Sequence, residues 1–358
     1  MNLDNIRDLP ERDSANMAGF IRSLPDQLHE ASKLMETLVW PGINFEPHNI
    51  VLLGTGGGSA IAALLVQALF ERELRRPLTL NCGMQLPGWV NRDSLVLATT
   101  VSGDTEETLT AFTEAIQREA CCLAITSGGK LRALAAEHNI SAYLFDTGGM
   151  PARAAIGYLF VPMAAALARL GLVRDLKIQL SETITLLDGL GERYGWENPE
   201  ANNPAKQLAR RLYGRLPIIY SADQLTYVAA RRWKNQFSEN SKSLAHDNTF
   251  PELNHDEIVG FENFASLREH IQVVYLCDEL GDEPTIKQRM IATRQLIEST
   301  GGSVLEVKAE GQSDLARLFS LIYMGDWVSL YLALLSSIDP TPVRSIVEIK
   351  RLLRELPN

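Results

Sequence analysis

Short apolar runs alternate with longer amphipathic stretches along most of the chain. Residues 49–54 (NIVLLG) form one such run, followed by a glycine-rich turn and the apolar helical stretch AIAALLVQALF. Similar runs at 94–100, 121–126 and 141–145 also end in turns, and helices are predicted after the first two of them. Strands that alternate with helices at this spacing predict a parallel sheet covered by helices on both faces.

A second series with the same layout begins near residue 215. Residues 14–38 and 152–172 have apolar positions at helical spacing and are each predicted as one helix. The second series consists of predicted strands at 216–220, 271–277 and 303–307 and predicted helices at 224–240, 285–299, 315–335 and 343–356.

The two series predict an α/β protein with two domains of one type, each a three-layer αβα sandwich. The length of 358 residues also favours two domains. The polar, proline-bearing stretch ENPEANNP at 197–204 is the clearest break between them. The predicted divisions are an N-terminal helical segment (1–47), a first domain (48–174), a helical linker (175–214) and a second domain with a C-terminal helix (215–358).

Composition narrows the class of protein. Hydrophobic residues make up 46% and charged residues 22% of the chain, which is an ordinary globular balance. The net charge of −10 argues against a nucleic-acid partner, although backbone amides and one or two arginines could still hold a phosphate. The four cysteines match no metal motif. No signal peptide is recognised and no apolar run is expected to approach a membrane span, so we expect a cytoplasmic protein without a membrane partner.

Two polar loops follow neighbouring predicted strands. The first is GTGGGS at 54–59, and the second is TVSGDT at 100–105. Glycines let backbone N–H groups approach an anion, and each following helix offers its N-terminus. The alternatives are a tight turn for the first loop and a helix cap for the second, in which Asp104 or Thr105 caps the helix. Two such loops at one sheet edge favour a phosphate site.

Glu239 and His255 are the candidate acid–base pair. Glu239 lies near the end of a predicted helix, whereas His255 lies among turn-forming residues in PELNH. They fall on different elements, so either the fold or a second subunit has to bring them together. Proton transfer between two carbons and the opening of a sugar ring need two such groups. Considered singly, a solvated glutamate and a surface histidine are common, and the spacing alone does not exclude that alternative.

The loops and the segment 231–255 together resemble a known family. A loop of the form SxSGxT, paired with a glycine–serine loop one unit earlier, resembles the sugar isomerase (SIS) domain. Segment 231–255 carries RW-K-x-Q-x-x-EN-x-K and PE-x-NH, which resemble the motifs of the bifunctional phosphoglucose/phosphomannose isomerases. The resemblance implies two SIS domains that interconvert fructose 6-phosphate with glucose 6-phosphate, mannose 6-phosphate or both, with no metal and no other cofactor.

The resemblance also implies roles for individual residues. Glu239 would move the proton through a cis-enediol, and His255 and Lys350 would assist ring opening. Arg153 would stabilise the charge of the enediolate. Surface charges on helices are the alternatives for Arg153 and Lys350. In related isomerases the histidine comes from the partner subunit, which implies a homodimer with its active site near the interface. The implied phosphate contacts are Gly58, Ser59, Thr100, Ser102 and Thr105.

The second loop departs from the family pattern SYSGNT at Val101 and Asp104. A carboxylate at position 104 would repel a bound phosphate unless it points into a helix cap. Two alternative functions therefore stay open, namely an isomerase of another sugar phosphate or amino-sugar phosphate and a non-catalytic SIS protein that binds sugar phosphates. Non-catalytic sensors usually carry a basic DNA-binding module, and no such module is recognised here.

Overall fold

Two parallel β-sheets form the centre of the protein. The computed structural model describes residues 2–4, 9–37, 45–222 and 225–356. The first sheet has the strand order β2-β1-β3-β4-β5 and the second the order β7-β6-β8-β9, with every pair parallel. The strands are β1 (Asn49–Leu53), β2 (Leu78–Asn81), β3 (Ser94–Thr99), β4 (Cys121–Thr126), β5 (Ser141–Leu144), β6 (Leu216–Ala222), β7 (His246–Phe250), β8 (Ile271–Cys277) and β9 (Val304–Lys308).

The order of the strands creates a crevice in the first sheet. β2 lies on one side of β1 and β3 on the other, so the chain leaves β1 and β3 in opposite directions. Ligands of open α/β sheets bind at such a point, beyond the carboxyl ends of the two strands. The two polar loops follow β1 and β3 and therefore border this crevice.

The helices cover both faces of the sheets, as predicted, and the α/β fold class is confirmed. Short 3₁₀ turns at Ala152–Ala154, Glu252–Asn254 and Glu257–Asn263 and a π-helical turn at Gly56–Ala60 connect some elements. The α-helices are α1 (Leu9–Arg12), α2 (Met17–Arg22), α3 (Leu24–Thr37), α4 (Ile61–Phe70), α5 (Glu106–Gln117), α6 (Gly129–Glu137), α7 (Ile156–Arg169), α8 (Lys177–Tyr194), α9 (Pro204–Leu212), α10 (Leu225–Glu239), α11 (Pro284–Ser299), α12 (Asp314–Leu335) and α13 (Arg344–Glu355).

Most predicted elements occur within a few residues of their expected bounds, and four expectations need correction. Strands β2 and β7 were not expected from the sequence. The helix expected at 152–172 begins as a 3₁₀ turn, and α7 starts only at Ile156. The helix expected at 14–38 is two helices separated at Ser23. Residues 38 and 224, at the ends of two predicted helices, lie outside the described part of the chain.

Helix α12 is the core helix of the second half. It packs against α8, α9 and α10, so the predicted linker 175–214 is packed against the second half. The expectation that no apolar run approaches a membrane span is wrong by length and composition, because α12 has a mean hydropathy of 1.6 over 18 residues. That whole window is buried within the protein, which is the behaviour of a core helix. The domain boundaries themselves stay a prediction.

Helix α10 connects the two halves. It packs against α12 of its own half and against α4 of the first half. Its last residue, Glu239, therefore reaches the π-helical turn Gly56–Ala60 at the carboxyl edge of the first sheet. The second half thus supplies a carboxylate to the crevice that the first half forms.

Candidate active site

Glu239 stands at the carboxyl end of α10, where the helix stops sharply. Lys242 adopts a left-handed conformation with φ of 54°, and the Ser243 N–H donates to the Phe237 carbonyl over 3.0 Å. This closure, which spans residues 237–243, ends the helix and folds the next turn back beneath it. The Lys242 Nζ then donates to the backbone carbonyls of Glu239 (2.7 Å) and Pro340 (2.8 Å), which fixes the turn beside the carboxylate.

Arg153 faces the Glu239 carboxylate from the first half. Its side chain is only 4% exposed, and its Nη1 lies 3.6 Å from Glu239 Oε2. The Arg153 Nε donates to Asn240 Oδ1 over 2.6 Å, and Nη2 donates to the carbonyls of Pro340 and Thr341. The alternative of a surface charge at Arg153 is therefore wrong. The guanidinium is held rigidly next to the carboxylate that the sequence selected as the base.

The first glycine loop packs directly on Glu239. A Cβ built at Gly57 would lie 2.1 Å from Glu239 Oε1, so only glycine leaves room for the carboxylate there. A Cβ at Gly58 would lie 2.3 Å from the Ala152 carbonyl oxygen. Gly58 and Ser59 are both buried, in the π-helical turn that leads into α4. Close approach of neighbouring atoms thus explains Gly57 and Gly58.

Burial and positive charge act in opposite directions on Glu239. Burial raises the pKa of its carboxyl group, and the nearby cations Arg153, Arg232 and Lys242 counter that rise. Burial lowers the pKa of Lys242 to about 8, with a further contribution from Arg153. A glutamate whose pKa is moved towards neutral pH is a stronger base than a free one, which suits proton abstraction from carbon.

The second loop turns its hydroxyls towards one another. The Thr100 and Thr105 Oγ1 atoms are 2.7 Å apart, and the Ser102 Oγ accepts from the Asp104 N–H over 3.2 Å. Thr105 immediately precedes α5, but its side chain makes no capping hydrogen bond. The alternative interpretation of this loop, a cap of α5 by Asp104 or Thr105, is therefore not observed. The N–H groups of the first turn of α5 remain without a side-chain cap at this edge of the sheet, where they favour an anion.

Asp104 points away from the crevice and into a neighbouring helix end. Its Oδ1 accepts from the Lys130 N–H over 3.2 Å in the first turn of α6. A carboxylate is favourable at a helix N-terminus, so its charge is accommodated there. This placement meets the condition under which an acidic residue in the second loop is compatible with a nearby phosphate.

His255 does not meet Glu239 within the chain. Strands β6 and β7 run parallel, with Phe250 at the carboxyl end of β7 level with Ala222 at that of β6. His255 follows β7 and is exposed at this carboxyl edge. Glu239 lies at the other end of α10, whose 15 residues span about 22 Å. The spacing left open whether the fold of one chain or a second subunit brings Glu239 and His255 together. The fold of a single chain does not do so.

Lys350 also lies apart from Glu239 in the chain. It belongs to α13, in which none of the 12 residues is buried. A cleft of about 630 Å³ separates the end of α10 from the start of α13, and it is lined by Glu239, Lys242, Leu244 and Ile346 among others. Lys350 is not among the residues that line this cleft, and its role in the site stays a prediction.

The second sheet has a corresponding crevice between β6 and β8, and its lining differs from that of the first. A cavity of about 570 Å³ lies there, and its wall includes Asp278 and Asp282 after β8 together with Glu73 and Arg317. Arg317 is already paired with Asp278 at 2.9 Å. No glycine–hydroxyl loop follows β8, and the remaining carboxylates disfavour phosphate. Within the described ranges, no group of three or more histidine, cysteine, aspartate or glutamate side chains is arranged to hold a metal ion.

Three residues that were not predicted as site residues contact the predicted residues Glu239 and Arg153. Lys242, Asn240 and Arg232 contact the backbone or side chains of Glu239 and Arg153. All three belong to the motif RW-K-x-Q-x-x-EN-x-K, so the motif itself was the available signal. Together the crevice presents a partly buried carboxylate, a fixed guanidinium beside it and two loops suited to an anion. These are the groups that proton transfer next to a carbonyl of a phosphorylated substrate requires.

Fold and comparison place the chain in the class of SIS-domain proteins. The family model described as the bacterial phospho-glucose isomerase C-terminal SIS domain matches residues 201–353. A hypothetical protein from Thermus thermophilus shares the fold with a TM-score of 0.76 and 16% identity, over 98% of this chain and 92% of that one. At this identity the likeness shows the fold alone.

The relatives define the particular family. The chain is 40% identical to a bifunctional phosphoglucose/phosphomannose isomerase of Caldicellulosiruptor bescii over 338 residues, which is 94% of this chain and 98% of that protein. It is 36% identical to the enzyme of the same name from Aquifex aeolicus over 310 residues, 86% and 90% of the two chains. The chain therefore belongs to the bifunctional phosphoglucose/phosphomannose isomerase family, which confirms the resemblance drawn from its motifs.

Proposed function

We propose that this protein is an aldose–ketose isomerase that interconverts fructose 6-phosphate with glucose 6-phosphate and mannose 6-phosphate. The observation that carries the proposal is the partly buried Glu239 carboxylate, held against Gly57 with the Arg153 guanidinium 3.6 Å away. The names of the relatives supply the substrate class. Isomerisation moves one proton between C1 and C2 and a second between the oxygens on those carbons, and it leaves the overall oxidation state of the sugar unchanged.

In the proposed mechanism, Glu239 removes a proton from C1 of the open-chain ketose and returns it to C2. The intermediate is a cis-enediolate with negative charge on O2, and the O1 proton passes to O2 before the aldehyde forms at C1. Arg153 stabilises that charge, because its guanidinium is fixed by three hydrogen bonds and need not reorganise during the reaction. Return of the proton to either face of C2 gives the glucose or the mannose isomer.

The proposed phosphate contacts are Gly58 and Ser59 in the first loop and Thr100, Ser102 and Thr105 in the second. The position of the two loops supports these contacts, because both loops border the crevice and the start of α5 lacks a side-chain cap. The proposal includes no metal and no other cofactor. Full activity after dialysis against EDTA is expected, and a loss that added divalent metal restores would count against this part.

The test is incubation of the purified protein with fructose 6-phosphate, with glucose 6-phosphate and mannose 6-phosphate measured separately. Formation of both products is expected. Binding of fructose 6-phosphate without turnover by well-folded protein would contradict the proposal in favour of a non-catalytic sugar-phosphate-binding protein. Turnover of amino-sugar phosphates alone would contradict it in favour of another isomerase.

We also propose that the enzyme is a cytoplasmic homodimer in which His255 of one subunit serves Glu239 of the other. Two observations support this arrangement. His255 is exposed at the opposite edge of the second sheet from Glu239. Helix α13 carries Lys350 and leaves Ile349 and Leu353 57% and 61% exposed, an apolar surface that a second copy would cover. Lys350 would then assist ring opening at the interface.

Mixing two inactive variants tests the shared site. Glu239→Gln and His255→Ala are each expected to be inactive alone. After unfolding and refolding together, half of the dimers are mixed and each mixed dimer has one intact site, so about a quarter of wild-type activity is expected to return. No recovery in a mixture that contains mixed dimers would show that both residues act within one chain.

A further inference from the structure

A buried ion pair beneath the site has no part in the proposed chemistry. Arg232 of α10 is 1% exposed and Asp326 of α12 is 3% exposed. The Arg232 Nε and Nη2 donate to the two carboxylate oxygens of Asp326 over 2.9 and 2.6 Å. Gln236 adds a third hydrogen bond, from Nε2 to Asp326 Oδ1 over 2.9 Å. Such a pair rarely stabilises a fold more than well-packed apolar side chains would, so its contacts need another explanation.

The remaining donors of Arg232 reach across to the first half of the protein. Its Nη2 also donates to the Arg153 carbonyl over 3.0 Å, and its Nη1 donates to the Gly57 carbonyl over 3.4 Å. One guanidinium thus joins two helices of the second half to two segments of the first. A lysine in its place has no planar fork and could not make these contacts together.

The two segments that Arg232 holds are the two that face the Glu239 carboxylate. Gly57 is in contact with Oε1, and the Arg153 guanidinium lies 3.6 Å from Oε2. The carbonyl of Gly57 points at Arg232. Because the peptide is trans, the N–H of Gly58 points the opposite way. Arg232 therefore sets the orientation of a proposed phosphate donor as well as the place of the base.

We propose that Arg232, clamped by Asp326 and Gln236, is a positioning residue that fixes Gly57 and Arg153 against Glu239. It touches no substrate in this mechanism, and the inference rests on the proposed isomerase function. Misplacement of reacting groups by an ångström lowers rates strongly, so loss of the clamp is expected to lower kcat about ten- to a hundred-fold.

Arg232 also contributes charge. Arg153 from the 3₁₀ turn, Arg232 from α10 and Lys242 from the following turn all hold down the pKa of Glu239 against the effect of burial. Without the Arg232 cation, the Glu239 carboxylate is less stabilised and its pKa rises. The acid limb of the profile of kcat/KM against pH is then expected to move to higher pH.

The test uses a double variant, Arg232→Met with Asp326→Leu, because a single change would leave one buried charge unpaired. This variant is expected to stay folded and to lose kcat about ten- to a hundred-fold. The acid limb of its profile of kcat/KM against pH is expected to move to higher pH. Arg232→Lys retains the cation but not the fork, so kcat is expected to fall while the acid limb stays in place. The matched control is Arg317→Met with Asp278→Leu, which removes a comparably buried pair far from Glu239.

The outcomes separate this inference from the proposed function. Wild-type protein that turns over no sugar phosphate counts against the function itself. An active wild type, with a folded double variant that keeps both kcat and the acid limb, overturns the positioning role. If the double variant does not fold, Arg232→Lys decides the matter, and wild-type kcat in that folded variant overturns the role. An equal loss of kcat in the Arg317 control also overturns it, because any buried pair would then have the same effect.

Discussion

At Glu239 nearby cations, each fixed by other contacts, offset part of the cost of removing a carboxylate from water. Arg153 is held by Asn240 and two carbonyls, and Lys242 is held by the carbonyls of Glu239 and Pro340. These cations counter the effect of burial only in part, so the pKa of the Glu239 carboxyl group stays raised. A single glycine, Gly57, provides the space that this arrangement needs.

Gly57→Ala is expected to lower kcat about ten- to a hundred-fold without unfolding the protein. The added Cβ would fall 2.1 Å from Glu239 Oε1, at the far end of a flexible side chain that moves at little cost in stability. Gly57 does not have a positive φ, so alanine fits its backbone. Steady-state kinetics with fructose 6-phosphate and a thermal melt are the measurements.

The matched control for that substitution is Gly88→Ala, at an exposed glycine whose Cβ would have no heavy atom within 4 Å. It is expected to leave both kcat and the melting temperature at their wild-type values. Wild-type kcat in the Gly57 variant would contradict the close packing of the loop on the base.

At the level of elements, the crossing of α10 and α12 decides where Glu239 stands. Gly325 of α12 lies against Trp233 of α10, and a Cβ there would be 2.2 Å from the indole ring. The Trp233 Nε1 donates to the Leu321 carbonyl over 2.8 Å, so the ring has little freedom to move. The glycine therefore sets how closely the two helices approach.

Gly325→Ala is expected to lower the free energy of unfolding by about 2–3 kcal/mol, because a close-packed core tolerates added volume poorly. Urea unfolding monitored by circular dichroism measures the change. Gly189→Ala, at an exposed position of α8 with open space around it, is the control and is expected to raise stability by up to about 1 kcal/mol. Equal stability of the two variants would contradict the close crossing.

The strands differ in how well the sequence predicts them. Strands such as β3, buried on both faces, are continuous apolar runs and were found at once. Strand β7 (HDNTF) lies at the edge of its sheet with one fully buried residue, so hydrophobicity gave no signal. The loops and Glu239 were found from residue types and motifs. The hydrogen bonds of Arg232 and Lys242 depend on packing between distant segments, which no local pattern encodes.

At the level of the whole molecule, two similar halves make one candidate site. The first half provides the glycine and hydroxyl loops, and the second half provides Glu239 at the end of α10. The wall of the second crevice instead contains the Arg317–Asp278 pair. Helix α13 extends from this body with an apolar stripe formed by Ile346, Ile349 and Leu353 at helical spacing.

Replacement of Ile349 and Leu353 by glutamate is expected to dissociate the homodimer and to abolish activity, because buried carboxylates would oppose contact and His255 would be lost from each site. Light scattering after size exclusion gives the mass, and the isomerase assay gives the activity. Val347→Glu, on the opposite face of α13, is the control and is expected to remain dimeric and active. A dimeric, active double variant would contradict the proposed role of the stripe.

The central claim is that Glu239 transfers the proton between C1 and C2. The most direct measurement follows fructose 6-phosphate by NMR in D₂O with wild type and Glu239→Gln. Wild type is expected to form both aldose phosphates and to introduce deuterium at the exchanging carbon. The variant is expected to bind fructose 6-phosphate but to isomerise it about 10²–10⁴-fold more slowly. Deuterium incorporation is expected to slow by the same factor. Wild-type rates of isomerisation and deuterium incorporation in Glu239→Gln would contradict the claim.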